Sequence, residues 1–83
     1  MGLNPVSPVL DLAGLRQQKG ISLGEIAQET KIRVGYLDAI ERGQFTKLPG
    51  GIYNISYIRQ YARAIDCDEQ PLLDHYRAAA TGG

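Results

Sequence analysis

The 83-residue chain contains one histidine, His75, and one cysteine, Cys67, and neither has neighbours in sequence that would put it to chemical use. A catalytic histidine needs a nucleophile or a second acid–base group within hydrogen-bond reach. No Ser or Cys motif accompanies His75, so it is expected on the surface of the last helix. Cys67, alone, can form neither an intramolecular disulfide nor a multi-cysteine metal site, and is read as an inert, partly buried thiol. Asp66, Asp68, Glu69 and Asp74 crowd together, but without the alternating oxygen ligands and central glycine of a calcium loop. Capping and a solvated helix face account for them. Gly50-Gly51 follows Pro49 and reads as a turn, not as a phosphate cradle. These residues predict a protein that is not an enzyme and calls for no metal and no cofactor.

What remains is recognition chemistry, in two sets. Lys31, Arg33, Tyr36, Arg42 and Lys47 are candidates for nucleic-acid contact; Tyr53, Tyr57, Arg59 and Gln60 are candidates for a protein interface. A helix that reads base edges needs Arg, Lys, Asn or Gln on its first exposed turns. Over residues 33–39 only Arg33 qualifies, since Val34, Gly35 and Ala39 carry no donor and Asp38 brings negative charge towards the phosphates. From 33 to 42, Arg33 and Arg42 balance Asp38 and Glu41. Weak, salt-sensitive phosphate contact is the most this set supports. The whole chain agrees, with nine Lys plus Arg against nine Asp plus Glu and a pI near 6.5, far from the basic balance of a DNA-coating protein.

The elements that must position these side chains are helices. Ser22 and Glu25 form a capping box that starts one helix near Leu23, and Gly43 supplies the left-handed residue that ends the next. Ile26, Ala27, Ile32, Leu37 and Ile40 run through this stretch at helical spacing, with a tight turn near residues 30–32. The pattern is a helix-turn-helix. Ser7 as cap and Pro8 at the first helical position predict a preceding helix over residues 8–18 that buries Val9, Leu12 and Leu15. Further helices are predicted over 51–65 and 69–78, the last capped by Asp68 and contributing Leu72, Leu73 and Tyr76, with residues 44–50 as a loop. Together with helices over 23–29 and 33–42 this makes an all-α, compact five-helix domain of the lambda-repressor-like kind. Ile26, Leu37, Ile40, Ile58, Ala62 and Ile65 form its expected core. Residues 1–6 read as a leader, 7–78 as the domain and 79–83 as a tail or the start of a linker.

On the fourth helix, Ile55, Ile58, Ala62 and Ile65 define an apolar stripe. At roughly 100° per residue, Tyr53 and Tyr57 fall roughly 160° and 200° from Ile55. They are expected to point away from the core as an i, i+4 aromatic pair, whereas Tyr61 flanks the core and is structural. Exposed Tyr is common among residues that dominate protein interfaces. Arg59 and Arg63, with no acid between 51 and 65, give the helix a positive edge.

Lys19-Gly20-Ile21-Ser22-Leu23, the run Thr30 to Gly43, Leu48-Pro49-Gly50 and Tyr57-Ile58-Arg59-Gln60-Tyr61-Ala62-Arg63 together resemble the RodZ-like N-terminal domain family, an Xre-type helix-turn-helix of bacterial cell-shape proteins. The similarity extends over about residues 9–77. It implies binding to the actin-like filament protein MreB on the inner face of the membrane, with Tyr53 and Tyr57 matching the family's contact positions. In that family a transmembrane helix follows further along the chain; these 83 residues contain no apolar run long enough to span a bilayer. A cytoplasmic domain is expected, at the inner-membrane face if a longer protein carries it. The alternative is an Xre-type DNA-binding transcriptional regulator.

Overall fold

A computed structural model describes residues 11–81, with side chains through Ala79. Among these residues there are five α-helices, one 3-10 turn and no strand: α1 (Leu12–Gln18), α2 (Leu23–Thr30), α3 (Val34–Arg42), the turn Phe45–Lys47, α4 (Ile52–Ala64) and α5 (Glu69–Thr81).

The expected order of helices holds, and the first boundary is corrected. Asp11 caps α1, its carboxylate accepting the Gly14 N–H at 3.1 Å. The Ser7-Pro8 start, and Val9 with it, lie outside the described residues. Leu12 is buried, but Leu15 is 37% exposed. The reason is a competitor at the next inward position. Arg16, four residues after Leu12, turns in to meet Glu41 of α3, at 2.6 and 3.1 Å, and the short helix cannot bury Leu15 as well.

The helix-turn-helix is closed by local chemistry. Ser22 Oγ accepts the Glu25 N–H at 3.0 Å while Glu25 accepts the Ser22 N–H at 2.8 Å, completing the capping box. In the turn, the Thr30 hydroxyl donates to the Ile26 carbonyl at 2.8 Å and accepts the Ile32 N–H at 3.1 Å. That bridge holds Lys31 in the left-handed region, at φ 66°, and lets Ile32 drop into the core. Gly43, at φ 73°, ends α3 as expected.

Helix α4 lies at the centre, packed on α2, α3 and α5. Ile26, Leu37, Ile40, Ile58, Ala62 and Ile65 are buried together as predicted, with Leu72 and Leu73 of α5. Residues 44–50 are more ordered than a plain loop. Phe45 and Leu48 are both buried, Phe45 meeting Tyr76 edge-on with ring centroids 5.3 Å apart and His75 at 5.4 Å. His75 itself is exposed. Helix α5 begins with the Asp68 carboxylate accepting the Gln70 N–H at 3.1 Å and runs past the expected end to Thr81.

Two buried polar arrangements escape the sequence pattern. Glu41 accepts from Arg16 and, at 2.7 Å, from the Tyr61 hydroxyl, so one carboxylate ties α1, α3 and α4 together. Burial, and then the hydrogen bond to Glu41, push the Tyr61 phenol well above its ordinary pKa. Asn54, also buried, accepts the Gly50 N–H at 2.8 Å and donates to the Tyr76 hydroxyl at 3.1 Å. Its side chain thereby fixes the turn in which Gly50 and Gly51 hold positive φ values of 104° and 61°.

Candidate protein-interaction site

Asn54 and Tyr61 also decide which way α4 faces. Counting only its apolar stripe places the core direction between Ile55 and Ile65. With Asn54 and Tyr61 buried as well, the buried arc shifts by roughly 40° towards their side. Ile55 is left half-buried, and Tyr57 is carried closer to the core than the stripe predicts.

The expected exposed pair is therefore split. Tyr53 is 57% exposed and stands beside Ile52, which is 82% exposed. Tyr57 is half-buried and packed against the core, a correction to its expected accessibility. Its ring packs on Tyr36 of α3, with centroids 5.8 Å apart and planes at 34°, and on Tyr53 at 6.0 Å and 48°. Three tyrosines form a continuous ridge from α4 onto α3. The sequence assigns Tyr36 and Tyr57 to different candidate surfaces; packing makes them neighbours.

Arg59 lies across α4 from Tyr57, while Gln60 is two turns from Tyr53 on the same face; both line an open groove with Ile52, Ile55, Ser56 and Arg63. Gln60 donates to Ser56 at 3.2 Å. Arg59 and Arg63 both reach Glu69 of α5, at 3.1 and 3.3 Å. The positive edge expected from residues 51–65 is thus partly cancelled from outside the helix. Such solvent-facing pairs contribute little to stability.

Of the nucleic-acid candidates, Arg33, Tyr36 and Lys47 line one small cleft with Gly35. Arg42 stands at the far end of α3, paired with Asp38 at 3.0 Å, and Lys31 is the left-handed turn residue that precedes the cleft. The zero charge sum over 33–42 hides an asymmetry: Glu41 is drawn inside by Arg16 and Asp38 is matched by Arg42. Arg33 and Lys47 have no ion pair among the described residues.

Cys67 is partly buried, and burial raises its pKa, so it stays a protonated thiol. No group of His, Cys, Asp and Glu among the described residues could hold a metal ion, and no described helix is long and apolar enough to cross a membrane.

Comparison with known proteins agrees with this architecture. A family described as a helix-turn-helix domain matches residues 11–72. The cytoskeleton protein RodZ of Streptococcus pneumoniae is 38% identical over 71 residues, which is 86% of this chain and 25% of that protein. YmfM, a membrane protein of Bacillus subtilis, is 35% identical over 57 residues, 69% of this chain and 20% of that one. The chain therefore spans a quarter or less of the length of these relatives. No solved structure matches it significantly. With a capped α2, a Thr30-bridged turn, an α3 ended by Gly43 and a family match that covers all of them, this chain belongs to the helix-turn-helix domain family, in a RodZ-like form.

Proposed function

We propose that this domain is a non-catalytic docking module that binds an actin-like filament protein of the MreB kind through α4, at the cytoplasmic face of a membrane to which a longer parent chain is anchored. Tyr53 and Tyr57 anchor the contact, and Arg59 and Gln60 form its rim. The observation that carries this reading is the exposure of Tyr53 beside Ile52, in a chain whose other described aromatics are buried or half-buried. A monomer has no folding reason to leave two large apolar side chains adjacent in water, and such patches are where partners bind. The likeness to a cytoskeleton protein supports the same class of partner. Co-sedimentation with MreB filaments tests it. The parent chain should pellet with the filaments and Tyr53→Ala should not; equal pelleting of both would remove α4 from the interface.

The second reading, DNA binding by α3, is favoured by the unpaired Arg33 and Lys47 near Lys31. Against it, Val34 and Gly35 offer no side-chain donor to a base edge. On this reading affinity falls steeply between about 50 and 200 mM salt and is indifferent to sequence. Nanomolar, operator-specific binding lost on Arg33→Ala would instead make the domain a transcriptional regulator.

A further inference from the structure

We infer that the cleft between the start of α3 and the 3-10 turn is a carboxylate-binding subsite, and that the protein partner presents an acidic side chain there while its apolar surface covers the tyrosine ridge. This rests on the docking reading and names the chemistry of the surface that docks.

Three observations converge on it. Arg33 and Lys47 come from different elements and line the same cleft with Gly35 and Tyr36. The acids of α3 are both committed elsewhere, Glu41 to Arg16 and Tyr61 in the interior and Asp38 to Arg42, so no carboxylate of the helix neutralises the two cations. The cleft is also continuous with the proposed interface, because its Tyr36 packs on Tyr57, which packs on Tyr53. A partner seated on exposed Tyr53 and extending along the ridge arrives at Arg33 and Lys47. A guanidinium and an ammonium around a tyrosine edge suit a carboxylate, which accepts from both while its methylene stem lies against the ring.

A nucleic-acid phosphate would satisfy the same cations but not the rest of the surface. Two cations in the cleft, with Lys31 on the turn before it, are few for a polyanion, and Asp38 stands one turn along α3 from Gly35. The aromatic ridge has no role in a contact made of phosphates. Protein carboxylate is therefore the occupant that accounts for cations and tyrosines together.

The test measures binding of the full chain and of Arg33→Gln/Lys47→Gln to MreB filaments at low and moderate salt. Both side chains face solvent without partners, so circular dichroism and Tm should match the parent. The expected result is about tenfold weaker binding for the double variant at 50 mM salt, a difference that shrinks at 300 mM because the lost interaction is screened. If parent and variant bind alike at both salts, the subsite is overturned while the α4 interface stands. If the parent does not bind MreB, the docking reading falls, and the subsite is judged by titrating the full chain with a blocked pentaglutamate peptide and, separately, a 12-base-pair duplex. Amide shifts centred on Arg33, Gly35, Tyr36 and Lys47 with the peptide, absent in the double variant, support the subsite; no shifts with the peptide, or shifts only with the duplex, overturn it.

Discussion

Tyr57 of α4 and Tyr36 of α3 stack across the helix boundary with ring centroids 5.8 Å apart, and this contact turns an isolated aromatic pair into a ridge that spans two helices. It also gives the three tyrosines unequal roles. Tyr53, at the open end, buries little; Tyr57, in the middle, contributes both to packing and to the surface offered to a partner.

Tyr53→Ala should leave Tm nearly unchanged, whereas Tyr57→Ala should cost about 1 kcal/mol, the size of an aromatic pair with partial burial. Both should weaken filament binding by about 2 kcal/mol or more, as expected of interface anchors. Urea unfolding and co-sedimentation on the same two variants separate the effects. Equal stability losses would place Tyr53 in the core, against its exposure.

Ile40 of α3 is fully buried in the core. Ile40→Ala should destabilise the domain by about 2 to 4 kcal/mol, combining lost transfer energy with an unfilled cavity. Urea denaturation with unchanged m-value checks this, and a loss below about half a kilocalorie would mean that the surrounding helices collapse into the space.

Glu41 accepts from Arg16 and Tyr61 at once. Glu41→Ala should therefore cost about 3 kcal/mol, because the buried Tyr61 hydroxyl loses its acceptor while the part-buried Arg16 guanidinium keeps only the Ile21 carbonyl. Tyr61→Phe removes one hydrogen bond to a charged group and should cost about 1.5 to 3 kcal/mol. Chemical denaturation of the two variants should rank them in that order.

The raised Tyr61 pKa sets a direction for alkaline pH. Once pH exceeds the ordinary phenol value of 10.0, the unfolded chain releases this proton while the folded chain keeps it, so stability contributed by the protonated hydroxyl falls as pH rises further. Melting curves between about pH 9 and 11.5 should show a steeper decline for the parent than for Tyr61→Phe. Parallel slopes would mean that Tyr61 ionises as readily in the folded protein as in the unfolded one.

Much of the architecture was legible in short stretches of sequence, because helix boundaries are set by neighbours in the chain. Ser22 and Glu25 cap α2 through their own backbone, Gly43 ends α3 through its own φ, and Ile26, Leu37, Ile40, Ile58, Ala62 and Ile65 share a period that can be satisfied only by facing one interior. The five-helix order and the helix-turn-helix follow from those local rules. What the tertiary structure alone decided is where polar and aromatic side chains go when more than one direction satisfies them. Arg16 displaces Leu15 from the interior because Glu41, 25 positions away, offers it a carboxylate. Asn54 and Tyr61 are buried because Gly50, Tyr76 and Glu41 supply their partners, and their burial rotates α4 so that Tyr57 meets Tyr36. Glu69 reaches back from α5 to temper the arginines of α4. Periodicity records which residues avoid water; hydrogen-bond partners distant in sequence determine which polar residues join them.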